Sequence, residues 1–179
     1  MNRLVYERFG SKKGLAHFFY HGVLAWFGFY SRYWKIIPAP NQRIVFICSG
    51  NICRSPLAEV YATKLGREAA SCGLHCGDDH PADMRAIEFA KQYGLELEDH
   101  RTINARNFEF RSTDLIVVME PAHATAFRSI VGNDYKLVLA GSYCKSPYPY
   151  IHDPYNCCSE FFVHCEKRVI EAVRGMCGG

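Results

Sequence analysis

The sequence has little net charge and no broad excess of basic residues. It contains 21 Lys and Arg against 18 Asp and Glu, a formal net charge of +3. Residues 1–40 hold six of the basic residues and a single acid, Glu7, so the rest of the chain is slightly acidic. A slightly acidic body argues against a nucleic-acid-binding protein. The basic front end is the better place for contact with anionic lipid or an acidic partner.

A secretory signal is also missing. The first uncharged stretch begins only after Lys13 and ends in Arg-Tyr-Trp-Lys, which is not a small-residue cleavage site. The nine cysteines are an odd number for a disulfide framework. We therefore expect reduced thiols and a cytoplasmic protein.

The first forty residues lack a clear membrane-spanning run. Residues 14–31 carry no formal charge, but this length is at the lower limit for a spanning helix, and two His, three Gly and one Ser weaken it further. Large apolar side chains recur at helical spacing, and Trp26 and Trp34 with basic flanks are typical of a helix in a membrane interface. We therefore predict peripheral membrane contact through residues 14–37. A helix packed on its own domain and a spanning helix are the open alternatives.

The composition fits one well-buried domain, because 49% of its 179 residues are hydrophobic. Pro38-Ala39-Pro40 marks a stiff boundary. We expect a basic, aromatic helical extension over residues 1–40 and a catalytic domain over residues 41–179.

Strand and helix signals alternate after this boundary. Strands are predicted over residues 43–47, 69–72, 114–119 and 136–140, and helices over 55–65, 82–93, from Pro121, and over 159–174. Ser55 is the predicted cap of the first of these helices and Pro56 its first turn. This order implies an α/β fold with a parallel sheet and helices on both faces. Ligands in such sheets bind beyond the carboxyl ends of the strands, where CSGNICRS, residues 48–55, lies.

The CSGNICRS segment has the residues needed to hold a tetrahedral anion against a nucleophile. A turn with Ser49 and Gly50 can aim backbone N–H groups at one point, and the following helix adds its positive end. Arg54 can bind two oxygens of the anion with its planar guanidinium. The same positive surroundings are expected to keep Cys48 as a thiolate, with Ser55 donating a hydrogen bond to the sulfur.

Attack by sulfur on phosphorus requires a proton for the departing oxygen. The candidate acid is Asp153, in the segment Ile-His-Asp-Pro-Tyr before the last helix. Its neighbours, a bound dianion and a thiolate, are expected to keep it protonated. In a second step the same carboxylate can take a proton from the water that hydrolyses the thiophosphate.

These motifs together resemble the low-molecular-weight protein tyrosine phosphatases, in their bacterial form with an N-terminal extension. The resemblance rests on CSGNICRSP followed by Leu-Ala-Glu, Ser71-Cys72-Gly73, DLIVVME and the later Asp-Pro-Tyr, and it covers residues 43–174. It implies a three-layer fold with a four-stranded parallel sheet, a phosphate-binding loop after the first strand, and no metal or organic cofactor. It also implies hydrolysis of protein phosphotyrosine through a cysteinyl-phosphate intermediate.

The resemblance assigns roles to individual residues. Cys48 is the nucleophile, Arg54 the phosphate clamp and Asp153 the acid and base. Asn51 is expected to hold the loop through hydrogen bonds to the supporting residues Ser71 and His100. The expected substrate-binding residues are Ser49, Gly50, Asn51, Ile52, Cys53, Ser55, Tyr155 and His75.

Several roles are predicted for the cysteines other than Cys48. Cys53 is expected to form a reversible disulfide with Cys48, with a plain packing role as the alternative. Cys157, Cys158 and Cys165 are expected to be ordinary thiols and not metal ligands.

Other functions of the same fold remain as alternatives. An arsenate reductase relays a disulfide through downstream cysteines, but no cysteine lies between Cys76 and Cys144. A protein-arginine phosphatase favours Thr where this chain has Ile52, whose apolar wall suits an aromatic ring. A non-enzymatic phosphotyrosine binder or redox adaptor would not need Cys48, Arg54 and Asp153 together. The expected substrate is a phosphotyrosine protein, with a membrane tyrosine autokinase of polysaccharide export as a specific candidate.

Overall fold

The computed structural model describes residues 2–178 and is built around four parallel strands. The strands are β1 (Ile44–Cys48), β2 (Ala69–Gly73), β3 (Leu115–Val118) and β4 (Lys136–Leu139), in the order β2-β1-β3-β4. All pairings are parallel. β1 and β3 are buried along their whole length, which explains their continuous apolar sequences.

Six α-helices within the described residues 2–178 flank the two faces of the sheet. They are α1 (Asn2–Phe9), α2 (Lys12–Trp26), α3 (Arg54–Lys64), α4 (Met84–Lys91), α5 (Pro121–Ile130) and α6 (Ser159–Cys177), with 3-10 turns at Ser31–Tyr33 and Ala140–Tyr143. Alternate residues of β1 enter two separate cores: Phe46 packs with α3 and α6, and Ile47 packs with α5. The predicted three-layer α/β fold is confirmed.

The helix after β1 begins differently from the prediction. It starts at Arg54, with Cys53 in the N-cap position, so the prediction of Ser55 as the cap is wrong. The reason is that the Ser55 hydroxyl lies 3.0 Å from the Cys48 sulfur and accepts a hydrogen bond from the Asn51 amide. Ser55 therefore serves the loop and not the helix end.

The N-terminal extension is two helices and a turn, where the sequence indicated one helix. Ser11 caps α2 by accepting a hydrogen bond from the Gly14 backbone N–H at 2.8 Å. After α2 the chain turns, and Tyr30 and Tyr33 join the core on the α5 face of the sheet. α1 packs against α6. Within residues 2–178, no helix combines the length and the apolar character needed to cross a membrane.

Candidate active site

The loop between β1 and α3 closes around the sulfur of Cys48. The backbone N–H of Asn51 donates to Cys48 Sγ at 3.2 Å, and Ser55 Oγ lies 3.0 Å from the same sulfur. Because α3 begins immediately after the loop, its positive end adds to the field at this point. Cys48 is 2% exposed, so a reacting group must reach it through the mouth of the loop.

Asn51 holds the loop in a conformation that non-glycine residues rarely adopt, with φ at 52°. Its side-chain amide donates to Ser55 Oγ and to Ser71 Oγ, at 3.0 and 2.8 Å, and its oxygen accepts from a backbone N–H. His100 Nε2 lies 2.8 Å from the Asn51 carbonyl oxygen. Ser71 in turn donates to Glu59 at 2.6 Å. This buried network fixes the loop before any ligand binds.

Arg54 connects the loop to the segment that carries Asp153. Its Nη2 lies 2.7 Å from Asp153 Oδ2, and its Nη1 donates to the Ile151 carbonyl at 3.0 Å. Burial alone would lower the pKa of the Arg54 guanidinium, but the charges of Asp153, Cys48 and Glu120 raise it above its usual value. Arg54 is therefore a permanent cation beside Cys48.

A cavity of about 190 Å³ opens onto these groups. Its walls are formed by Cys48, Ser49, Gly50, Ile52, Cys53, Arg54, Asp153 and Tyr155. Asn51 and Ser55 are fully buried beneath the loop and contact the Cys48 sulfur instead of lining the cavity. His75 is exposed and does not line it, although its backbone N–H donates to the Ser49 carbonyl at 2.9 Å.

Comparison with known proteins identifies the family of the chain. The family model described as low molecular weight phosphotyrosine protein phosphatase matches residues 43–177. The chain belongs to this family.

Individual relatives agree with that result. The phosphatase is 34% identical over 124 residues to the Escherichia coli K12 low molecular weight protein-tyrosine-phosphatase Etp, covering 68% of this chain and 82% of Etp. It superposes on Vibrio vulnificus Wzb in complex with benzylphosphonate with a TM-score of 0.67 at 31% identity, covering 76% of this chain and 97% of Wzb. A Geobacillus stearothermophilus YwlE arginine phosphatase, at 20% identity and a TM-score of 0.66 over 76% of this chain and 90% of that one, shares the fold.

Sequence reasoning did not identify Glu120, which does not line the cavity but whose charge acts on Arg54. Glu120 follows β3 and accepts a hydrogen bond from His123 Nε2 at 2.9 Å. Burial favours the neutral acid, but the bond from His123, with the charges of His123 and Arg54, lowers the pKa of Glu120 to about 2. Its place at the carboxyl end of a parallel strand was the signal that could have indicated it.

A second unforeseen carboxyl group is Glu166 on α6. It is fully buried, and neither of its oxygens has a hydrogen-bond partner among the described residues. Burial raises the pKa of Glu166 to about 8. Its helical spacing from Phe162 and Ile170 placed it on the apolar face of the predicted helix, which was the available signal.

The surroundings of Cys53 favour its thiol form. Burial raises the pKa of Cys53, and the neighbouring acidic groups of Glu166, Asp83 and Cys48 raise it further. A disulfide with Cys48 requires a thiolate on one of the two sulfurs, so this environment slows the reaction when Cys53 is the attacking group. Across residues 2–178, no group of three or more His, Cys, Asp or Glu side chains is arranged to hold a metal ion.

Proposed function

We propose that the phosphatase hydrolyses phosphotyrosine in proteins through a cysteinyl-phosphate intermediate. The supporting observation is that Cys48, Arg54 and Asp153 line one cavity of about 190 Å³, with Asp153 2.7 Å from Arg54. This cavity is small enough to enclose a phosphate group, with the ring of the tyrosine at its mouth.

In the first step the phosphate displaces Asp153 from part of the guanidinium and binds to Arg54 and the loop N–H groups. Asp153, released from Arg54 and facing the phosphate dianion, takes up a proton from water. The Cys48 sulfur then attacks phosphorus, the bond to the tyrosine oxygen breaks, and Asp153 gives this proton to that oxygen. Ser55, 3.0 Å from the sulfur, stabilises the thiolate before attack.

In the second step water attacks the phosphorus of the cysteinyl phosphate. Asp153, now a carboxylate, takes the proton from this water, and the sulfur leaves as a thiolate that Ser55 again stabilises. Inorganic phosphate is released, and Asp153 has regained the proton that it gave up in the first step.

Aromatic substrates are favoured by the walls of the cavity. Ile52 and Tyr155 provide apolar surface, and Tyr155 is 52% exposed at the mouth, where it can stack on a ring. The related Wzb binds benzylphosphonate, an aromatic group joined to a phosphonate. The similarity to the arginine phosphatase extends to the fold alone.

The decisive experiment compares aryl phosphates with different leaving groups. We expect no turnover by Cys48→Ser. Asp153→Asn should lose about 10²-fold to 10³-fold with phenyl phosphate but much less with a nitrophenyl phosphate, because a good leaving group needs no proton. Phosphoarginine and arsenate are assayed beside them on the same preparation. Equal rates for wild type and Cys48→Ser would falsify the proposal, and the absence of turnover by both proteins would favour a non-enzymatic binder.

We further propose that the extension brings this cytoplasmic phosphatase to a membrane surface, where a membrane tyrosine autokinase of polysaccharide export is its substrate. Support comes from exposed apolar side chains beside basic residues: Trp26 is 82% exposed, Phe27 and Phe29 are each 65% exposed, and Phe19 is 63% exposed. Such a surface is suited to an anionic membrane interface.

Sedimentation with anionic liposomes tests the membrane contact. Full-length protein should sediment, and the double variant Trp26→Ser/Phe27→Ser should sediment several-fold less. The matched control is Met84→Ser, which removes a side chain that is 68% exposed on α4, outside the extension. Equal sedimentation of all three proteins would remove the membrane from the proposal without touching the chemistry.

A further inference from the structure

We propose that the N-terminal extension is a positioning element of the active site, which fixes Asp153 through the two residues Tyr150 and His152. The inference rests on the proposed function, in which Asp153 is the general acid. It concerns how this chain places that acid, and it assigns a role in catalysis to Ser11 and His17.

Side chains of the segment 148–153 point alternately to two sides. Tyr148, Tyr150 and His152 contact the extension: Tyr148 stacks on Phe18 at 4.5 Å between ring centroids and donates to its carbonyl oxygen. The intervening Ile151 is 2% exposed and belongs to the core below the sheet, and Asp153 pairs with Arg54. One face of the segment therefore carries the acid and the opposite face carries the contacts with the extension.

Hydrogen bonds join the extension to the residue before Asp153. The Tyr150 hydroxyl lies 3.1 Å from His17 Nδ1 on α2 and also hydrogen-bonds with His152 Nδ1. The other ring nitrogen of His152 lies 3.5 Å from the Ser11 hydroxyl, the group that caps α2. His21 stacks on the Tyr150 ring with centroids 4.8 Å apart. Tyr150 is thus held on its face and at its hydroxyl.

Two glycines of the extension lie against His152. A Cβ at Gly10 would lie 2.7 Å from Cys157 Sγ and 2.9 Å from the His152 ring, and one at Gly14 would clash with the Phe9 carbonyl oxygen and lie 3.0 Å from the His152 ring. Gly10 also has φ at 76°, which a side chain would strain. The backbone of the extension is therefore in close contact with the His152 ring at both glycines.

Substrate binding makes this contact matter for catalysis. Asp153 is 42% exposed on its side chain, and its ion pair is with Arg54, the group that must turn to the phosphate. Once Arg54 binds phosphate, the position of Asp153 depends on its neighbours in the chain. Arg85 holds the following side by donating to the Tyr155 carbonyl at 2.7 Å. The preceding side is held by the extension together with the Ile151 backbone N–H, which donates to the Met119 carbonyl at 2.9 Å. An acid displaced by about 1 Å loses much of its effect on rate.

The test uses full-length variants and two substrates that differ in their need for a proton. Tyr150→Phe keeps the ring and removes the hydroxyl that links His17 to His152. We expect kcat/KM for phenyl phosphate to fall about tenfold and that for a nitrophenyl phosphate to fall less than about twofold, because only the poor leaving group depends on the acid. His17→Phe should behave in the same way.

Two matched variants separate positioning from a general loss of structure. His17→Asn retains a polar atom near the place of Nδ1 and should recover most of the phenyl phosphate activity. Tyr135→Phe removes a hydroxyl from a partly buried tyrosine that packs on Phe127, on the α5 face, and should leave both substrates unchanged.

Each contrary result has its own meaning. Wild-type rates for Tyr150→Phe and His17→Phe, or equal losses with both substrates, would overturn the positioning role while leaving the phosphatase mechanism in place. A wild-type protein that turns over neither aryl phosphate would overturn the proposed function itself.

Discussion

Buried polar side chains divide into two kinds in this phosphatase. Asn51 and Ser71 are fully hydrogen-bonded, and these bonds offset the free-energy cost of removing the two side chains from water. The same bonds hold the loop in its strained conformation. Glu166 is equally buried but has no partner among the described residues, so its charged form is strongly disfavoured. Its protonation therefore affects the stability of the fold.

The predicted effect of Glu166 is a loss of stability as the pH rises. Burial raises its pKa in the folded protein from 4.5 to about 8, so the folded state binds the proton more tightly than the unfolded chain does. The contribution is fully present below about 4.5 and disappears as the pH rises through about 8. The slope of the free energy of unfolding is at most about 1.4 kcal/mol per pH unit.

Glu166→Gln keeps the shape without the titration. The free energy of unfolding, measured in urea between pH 5 and pH 8, should depend less on pH for this variant than for wild type. At the upper end of this range, near the Glu166 pKa of about 8, the variant should be the more stable protein. Glu88→Gln, on the exposed side of α4, is the control and should follow wild type. Parallel curves for all three proteins would show that Glu166 does not titrate in this range.

At the scale of elements, the sequence predicts the framework of the site well. β1, the loop and α3 are recognisable because an apolar strand, small turn residues and a helix start follow one another in the chain. Such contiguous signals are set by local conformation, and the four strands follow for the same reason. The start of α3 was misplaced because the Ser55 hydroxyl contacts the sulfur of Cys48 instead of capping the helix.

Contacts between distant elements are what the sequence could not supply. Glu120 and Glu166 acquire their pKa values from burial and neighbours that only the folded chain brings together. The exposed aromatic side chains of the extension were foreseeable from their spacing, but its contact with Tyr150 and His152 was not, since His17 and Tyr150 are 133 positions apart. Side-chain periodicity indicates that one face of a helix or strand will be buried, but it does not indicate which other element will cover that face.

For the whole molecule, the extension is expected to unfold together with the catalytic domain. Tyr30 and Tyr33 are buried in the core on the α5 face of the sheet, and α1 packs on α6, which covers the opposite face. The extension therefore packs on the catalytic domain at both faces of the sheet. Because the extension is packed on the domain at two places, we expect it to have no unfolding transition of its own.

Fluorescence can report this cooperativity directly, because both tryptophans of the chain, Trp26 and Trp34, lie in the extension. Thermal unfolding followed by tryptophan emission should coincide with unfolding followed by far-ultraviolet circular dichroism. Tyr33→Ala should lower both midpoint temperatures together, because the loss of a buried aromatic side chain lowers the free energy of unfolding by roughly 3 kcal/mol. An emission change at lower temperature than the dichroism change would mean that the extension detaches first.

The alternation of side chains from Tyr148 to Asp153 also constrains the length of the chain. Where successive side chains alternate between two sides in this way, a change of one residue turns every later side chain to the opposite side, whereas a change of two restores the original sides. The spacing between the tyrosine that faces the extension and the aspartate that faces the phosphate loop must therefore stay odd. The odd spacing between Tyr150 and Asp153, as much as the identity of the two residues, keeps Asp153 on the side of Cys48.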